Sequence, residues 1–233
     1  MRLFAIADLH LPGGKNKPMD VFGRHWEGHF EKICASWREN VTDGDVVALP
    51  GDLSWAMQME EAAADLKSIG ALPGRKVLLR GNHDYWWGSI GRLRAMLPEG
   101  MFALQNDALR LGDITFAGSR GWTHPDGGDT EDRRIYEREL IRLKMSLDRA
   151  RDLEGRLVVL THYPPLDEKH EDTPVSLLIR SYHPTDVIYG HLHGASLRSA
   201  FNGERDGIRY HCVSCDGLGF ALREIPEPRT DGD

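Results

Sequence analysis

Short apolar runs alternate along the chain with stretches in which apolar side chains recur every three or four positions. The runs predict buried strands over residues 2–7, 45–50, 76–80, 157–160 and 187–189. The helical periodicity predicts helices over residues 26–37, 57–69, 89–97 and 130–152. Three shorter strands are predicted over residues 101–104, 108–111 and 114–117, the last two joined as a hairpin.

The C-terminal part of the pattern predicts two further strands, over residues 208–213 and 218–222, as an antiparallel pair. Residues 224–233 are rich in proline and charge and are predicted to form a disordered tail. Strands alternate with helices in the first half and a hairpin follows in the middle. This order favours one layered α/β domain over residues 1–223, with a mixed sheet or two sheets face to face.

Composition narrows the class of protein further. The chain has 233 residues and a formal net charge of −7, which weighs against a general electrostatic footprint for nucleic acid, although a local basic patch is compatible with it. No apolar run approaches the roughly 20 residues that span a bilayer, and Asp8 and His10 interrupt the N-terminal run before it resembles a signal peptide. The cytoplasm is therefore the expected location, and nothing in the sequence indicates an oligomeric state.

The three cysteines do not form a pattern with clear chemistry. Cys34 lies in a predicted helix, and Cys212 and Cys215 form a single C-x-x-C without a second ligand pair nearby. This spacing favours two cysteines at a strand end over a redox or zinc site, and the odd count argues against a disulfide framework.

Metal-ligand residue types follow the predicted buried strands. In chain order the segments are Asp8-Leu9-His10, Gly51-Asp52, Gly81-Asn82-His83-Asp84, Thr161-His162 and Gly190-His191-Leu192-His193. Each alone is an ordinary turn or surface segment, but strand ends gather at one edge of an α/β sheet, so these side chains are expected to meet. Carboxylates, an amide oxygen and imidazoles suit manganese, iron or zinc better than calcium or magnesium alone.

These five segments, in this order from residue 8 to residue 193, resemble the signature of the calcineurin-like metallophosphoesterase superfamily. Residues 5–11, 51–56 and 82–87 are similar to a subgroup of bacterial predicted phosphohydrolases. The resemblance implies a layered α/β fold with central mixed β-sheets, a β-sandwich flanked by helices. It also implies two divalent or transition metal ions and the hydrolysis of a phosphomonoester or phosphodiester by a metal-activated water.

The resemblance also implies a role for each residue of the site. One metal would be held by Asp8, His10 and His193, the other by Asn82, His162 and His191, with Asp52 bridging the two. His83 would protonate the leaving oxygen or stabilise its charge. Many members carry a second acidic residue three positions after the bridging aspartate, which orients the catalytic histidine; here that position is Trp55.

Residues that flank these segments are weaker candidates. Trp86 and Trp87 could equally stack on a substrate or pack the next helix, and the loop over residues 13–18 could shape the entrance. A substrate role is the less favoured interpretation for Arg120, Trp122 and His124, and a solvated helix face is the favoured one for Arg133 and Arg134. The histidines outside the segments are interpreted as surface or core residues: His25, His29, His170, His183 and His211.

The leading hypothesis is an enzyme that acts on a small phosphorylated substrate. A nuclease-type member is disfavoured by the acidic balance. A hydrolase of a nucleotide–lipid pyrophosphate would share the opening of residues 7–11, but that group carries arginine where this chain has His83. A non-catalytic scaffold predicts eroded ligands, whereas every ligand position is filled here. The substrate itself, the preference for monoester or diester, and the physiological metal stay open.

Overall fold

The strand ends that carry the candidate ligands belong to two mixed β-sheets in the computed structural model, which describes residues 1–14, 19–125 and 130–228. The strands are β1 (Leu3–Ala5), β2 (Val46–Leu49), β3 (Arg75–Leu78), β4 (Met101–Ala103), β5 (Leu109–Leu111), β6 (Ile114–Ser119), β7 (Arg156–Thr161), β8 (Asp186–Tyr189), β9 (Gly203–Arg205), β10 (Ile208–Cys212) and β11 (Arg223–Ile225). The helices are α1 (His29–Asn40), α2 (Met59–Gly70), α3 (Ile90–Met96), α4 (Thr130–Ala150) and α5 (Pro174–Arg180).

Each sheet has a parallel centre and antiparallel edges. The first sheet has the order β11-β1-β2-β3-β4, in which β1 to β4 are parallel and β11 is antiparallel to β1. The second sheet has the order β5-β6-β7-β8-β10-β9, in which β6, β7, β8 and β10 are parallel and both edge strands are antiparallel. All the parallel strands of one sheet therefore end at the same edge, as the sequence argument requires.

The two sheets pack face to face because alternate residues of their strands are apolar. Leu3 and Ala5 of β1 lie in one buried cluster with Phe116 and Val158 of the second sheet. Phe4, between them in sequence, points to the opposite face and packs in the cluster that contains α1, α2 and α3. The outer face of the second sheet packs against α4 and α5. The predicted fold class, central mixed sheets flanked by helices, is confirmed.

Most predicted elements are present with small shifts at their ends. The first helix begins at His29 and not at residue 26, because Gly28 adopts a left-handed conformation (φ 60°) that separates it from a 3-10 turn over Arg24–Trp26. The hairpin of β5 and β6 is confirmed. The short elements α5 and β9 were not predicted, since neither is long enough to show a period.

The prediction for the C-terminal end was wrong in two respects. Residues 218–222 form turns and no strand, with Phe220 at φ 63° and its N–H bonded to the carbonyl of Cys215. The last strand is β11, so Glu224 and Ile225 of the predicted tail belong to the first sheet, where Ile225 is buried. Residues 229–233 of that tail lie outside the described residues.

Two other expectations concern single features. Cys34, Cys212 and Cys215 are buried free thiols, and burial raises the pKa of Cys212 to about 11, which makes it a poor nucleophile at neutral pH. Of the helices that the structure describes, none is long and apolar enough to cross a membrane.

Candidate metal centre

The seven predicted ligands meet in one place, at the carboxyl ends of five strands. Asp8 and His10 follow β1, Asp52 follows β2 and Asn82 follows β3 in the first sheet. From the second sheet, β7 supplies His162 and β8 supplies His191 and His193. Because the sheets pack face to face, the two sets of side chains approach each other across the interface.

Asp8, His10 and His193 form the first group of ligand atoms, which lie within 4.8 Å of one another. The Nε2 atoms of the two histidines are 3.4 Å apart, and His193 Nε2 is 3.5 Å from Asp8 Oδ1. Two imidazoles and a carboxylate that converge in this way match the side chains that bind transition metals.

The second group consists of Asn82, His162 and His191. The Oδ1 atom of Asn82 lies 2.7 Å from His162 Nε2 and 3.0 Å from His191 Nδ1. Asp52 stands between the two groups, because its Oδ2 atom lies 3.8 Å from His10 Nε2 and 3.5 Å from His162 Nε2. A single carboxylate oxygen thus reaches one histidine of each group.

The site contains two buried carboxylates whose negative charge is suited to binding metal cations. Asp8 is fully buried and Asp52 is 2% exposed. Neither carboxylate forms an ion pair with lysine or arginine anywhere in residues 1–14, 19–125 and 130–228; their partners are histidines. Two buried carboxylates that have histidines but no lysine or arginine as partners are suited to hold a metal, so the residues present fit a metal centre.

The pKa values of the site show where protons reside without metal. Burial lowers the pKa of His10 to about 3 and that of His191 to about 4, so both are neutral ligands at pH 7. Burial, reinforced by the charges of Asp84 and Asp8, raises the pKa of Asp52 to about 9. Burial disfavours the charged form of His193, but Asp216 and Asp8 outweigh it and raise its pKa to about 10.

Asp84 holds the ends of β2 and β3 together. Its carboxylate accepts hydrogen bonds from the backbone N–H groups of Asp52 (2.9 Å), Leu53 (2.9 Å) and Gly81 (2.7 Å), and from the indole of Trp86 (2.9 Å). The resemblance to the family implies no role for Asp84, although it lies within one of the five segments. It fixes the backbone from which Asp52 projects.

Close packing explains two of the glycines. A Cβ atom on Gly81 would collide with the carboxylate of Asp52, and one on Gly190 would lie 2.6 Å from Asp8 Oδ2. Asp8, Asp52 and His191 themselves have positive φ angles of 63°, 54° and 72°. Non-glycine residues in this region cost about 1–3 kcal/mol each, and such backbone strain clusters at functional sites.

Asp216, which no motif in the sequence marks, orients a candidate ligand. Its Oδ1 atom lies 2.9 Å from His193 Nδ1, and its Oδ2 atom accepts the N–H of Gly194 at 2.9 Å. This contact leaves Nε2 of His193 directed at the first group. His162 is oriented similarly, with Nδ1 3.0 Å from the carbonyl oxygen of Pro50.

His83 lies beside the two groups without belonging to either. Its backbone N–H donates to Asp52 Oδ1 at 2.8 Å, and its ring centroid is 4.6 Å from that of Trp55. Trp55 also stacks on His10, at 4.7 Å and 21° between the planes. Trp55 thus occupies the position at which the resemblance implies an acidic residue, and its side chain packs against both His10 and His83.

Most of the residues that flank the five segments either contact other parts of the protein or are exposed. Trp86 and Trp87 are buried and donate to Asp84 and Gln105, so they pack the interior. Arg133 and Arg134 are exposed on α4, as favoured. The indole of Trp122 donates to Asp132, the His124 ring lies 5.3 Å from the Tyr136 ring, and residues 15–18 of the entrance loop lie outside the described residues. A neighbour that was not predicted is Tyr163, whose ring lies 4.0 Å from that of His191.

Known proteins are similar to this chain in sequence profile and in fold. Residues 1–195 match the sequence profile of the calcineurin-like phosphoesterase family. The fold is similar to that of phosphopantetheinyl hydrolase from Mycobacterium tuberculosis (TM-score 0.53, 16% identity, 100% of this chain and 98% of that one). It is also similar to that of GAP50, the anchor in the inner membrane complex of Plasmodium (TM-score 0.53, 13% identity, 92% and 71%). None of the curated proteins matches the sequence significantly.

Proposed function

The chain belongs to the calcineurin-like phosphoesterase family of metal-dependent phosphoric ester hydrolases, and we propose that the side chains gathered at its strand ends are the catalytic centre, acting on a small phosphomonoester or phosphodiester. The observation that carries the proposal is the position of Asp52. Its Oδ2 atom lies within 4 Å of a histidine from each ligand group (3.8 Å and 3.5 Å), so it can bridge two ions. A carboxylate in this place is what a dinuclear site needs.

The proposed ligand sets follow from the two groups. Asp8, His10 and His193 hold one ion, Asn82, His162 and His191 hold the other, and Asp52 is shared. The mixture of imidazole, carboxylate and amide donors favours manganese, iron or zinc. When bound, such a pair lowers the pKa of a water molecule and offsets negative charge on the phosphate oxygens.

His83 is the proposed general acid. It lies next to Asn82 in sequence and touches the bridging carboxylate through its backbone, yet it lies outside both ligand groups. Protonation of the leaving oxygen by a positioned side chain typically contributes about 10²–10⁴-fold to the rate. Its ring packs against that of Trp55, which limits the positions that the imidazole can take.

The test is hydrolysis of p-nitrophenyl phosphate and bis-p-nitrophenyl phosphate by protein stripped of metal and reloaded with manganese. Activity is expected to return with metal, and Asp52→Asn is expected to abolish it. Asp113→Asn, which changes an exposed turn residue, is the matched control and should keep the activity of the unmodified protein. The ratio of the two rates then assigns the monoester or diester preference. Turnover that needs no metal, or that survives in Asp52→Asn, would refute the proposal.

A further inference from the structure

A second polar cavity, of about 250 Å³, lies next to the metal centre. It is bounded by the ends of β3, β4 and β6 and by α4, and its charged lining consists of Arg80, Arg120, Glu139 and Arg142. The seven candidate ligands are absent from its lining. The cavity and the metal centre are connected by backbone hydrogen bonds. The carbonyl of Arg120, which lines the cavity, accepts the N–H groups of His162 and Tyr163, both at 3.0 Å.

The cavity carries an excess of positive charge. Glu139 is 2% exposed and lies 2.7 Å from Arg142 Nη1 and 3.5 Å from Arg120 Nη2. Arg80 has no ion pair among the described residues, and arginine stays protonated in proteins. In the lining of the cavity, three guanidinium groups therefore face one carboxylate. The buried carboxylate of Asp84, outside the lining, also attracts Arg80.

Two donors in this cluster also lack acceptors. The Nε atoms of Arg80 and Arg120 are buried and have no hydrogen-bond partner in the part of the chain that the structure describes. A buried donor that stays unsatisfied destabilises the folded protein, because it has lost its hydrogen bonds to water. Water would satisfy the donors but would leave the charge uncompensated. An oxyanion would satisfy the donors and also compensate the charge, because phosphate accepts several charge-assisted hydrogen bonds from guanidinium groups.

We propose that this cavity binds a phosphate-class oxyanion at a site distinct from the metal centre. Its volume is below the roughly 300 Å³ at which pockets for whole organic ligands begin. It equals the space of about eight water molecules, enough for a phosphoryl group with part of its hydration. The anion is either free phosphate or a second phosphoryl group of the substrate; only the latter source rests on the proposed function.

The experiment is a calorimetric titration of the metal-loaded protein with inorganic phosphate, in variants that move the cavity charge in opposite directions. Arg142→Gln removes one cation and is expected to weaken phosphate binding about tenfold or more. Glu139→Gln removes the competing carboxylate and is expected to tighten it. Arg134→Gln alters an arginine of the same helix that is 78% exposed and should change nothing.

Phosphate that binds at the metals is measured separately, as its inhibition constant against p-nitrophenyl phosphate, and should be equal in all four proteins. The opposite signs for Arg142→Gln and Glu139→Gln keep the test decisive, since a folding defect would weaken binding in both. Phosphate affinity that is the same in all four proteins would overturn the proposal. The titration needs no turnover, so its failure is distinguishable from failure of the proposed activity.

The two sources of the anion are separated by inhibition with fructose bisphosphate and fructose monophosphate. If a second phosphoryl group of the substrate occupies the cavity, Arg142→Gln weakens inhibition by the bisphosphate and leaves that by the monophosphate unchanged. If the cavity takes free phosphate, the variant changes neither inhibitor while it still weakens the calorimetric binding of phosphate. Both results support an oxyanion site, and each assigns its ligand.

Discussion

Individual side-chain and backbone contacts orient the imidazole rings of His193 and His162 within the candidate centre. Asp216 engages Nδ1 of His193, so Nε2 is the atom that faces Asp8. Contacts of this kind fix the orientation of a ligand ring and raise its basicity, and losing them typically weakens metal binding about 10–100-fold. Asp216 is therefore a positioning residue, which acts on the centre through His193.

Asp216→Asn is expected to weaken metal binding about 10–100-fold while the fold is kept, because the amide oxygen can still accept the N–H of Gly194. Manganese affinity measured by equilibrium titration checks this, with Asp113→Asn as the control. An unchanged affinity would show that Asp216 does not tune the centre.

Metal binding should also release protons. In the metal-free site the pKa of His193 is raised to about 10 and that of Asp52 to about 9, so both are protonated at neutral pH. Ligation needs the deprotonated forms, so binding should displace about two protons per chain at pH 7 and affinity should rise with pH. Calorimetry in two buffers of different ionisation enthalpy measures the number. Identical heats in both buffers would contradict the prediction.

At this scale the sequence was sufficient to predict which side chains gather at the strand ends, because each of the seven candidate ligands follows a buried strand. It was insufficient for Asp216, which lies 23 residues after His193 in a turn without a distinguishing pattern. The cavity lined by arginines could not be predicted from the sequence either. Arg80, Arg120 and Arg142 come from three elements that meet only when the sheets pack, and the net charge of −7 does not indicate a local basic cluster.

Among the elements, the strands of the second sheet are joined by a buried ion-pair network as well as by their backbone. Asp186 at the start of β8 is fully buried and lies 2.6 Å from Arg156 of β7. It is also 2.8 Å from Arg209 and 2.9 Å from His211, both in β10. The network sits at the ends of the strands opposite to the metal ligands, so it stabilises the sheet without contacting the site.

Asp186→Asn is expected to lower the free energy of unfolding by about 3–5 kcal/mol at neutral pH, because it leaves buried cations without their counter-charge. The pKa of Asp186 is lowered despite burial, by the hydrogen bonds from His211, Arg209 and Thr185. Its contribution is therefore present above the unfolded pKa of about 3.9 and is lost as pH falls through the lower folded value.

Urea unfolding followed by tryptophan fluorescence, at neutral pH and at about pH 3, measures the difference between the variant and the unmodified protein. The difference should shrink at the lower pH. Asp148→Asn, at a carboxylate that is 42% exposed, is the control and should leave the free energy of unfolding nearly unchanged. A stable Asp186→Asn protein would show that the network is energetically neutral.

Element prediction succeeded where periodicity or apolar character extended over several residues. It failed at residues 218–222, where apolar residues lie in turns whose N–H groups donate to carbonyls earlier in the chain. It also failed for β11, whose residues look polar and proline-flanked in sequence. That strand exists because β1 offers it an edge for pairing, and such a tertiary partner is invisible in local sequence.

At the scale of the whole molecule, the candidate centre exists only because two sheets meet. Asp8, Asp52 and Asn82 come from the first sheet, whereas the second sheet supplies three histidines. The cavity shows the same division, with Arg80 from the first sheet and Arg120 from the second. Each ligand group therefore takes side chains from both sheets, and the apolar interface between the sheets is what brings them together. The sequence could predict two layers, but the strand order that brings these ends together needed the structure.

The most direct test of this account is the number of metal ions bound per chain. Protein equilibrated with excess manganese, freed of unbound metal and analysed by mass spectrometry is predicted to hold about two ions, the number a dinuclear site requires. His193→Gln and His191→Gln should each lose the ion of their own group, whereas His183→Gln, outside both groups, should keep the full content. One ion or none in the unmodified protein would contradict the dinuclear centre and, with it, the proposed catalytic role of Asp52.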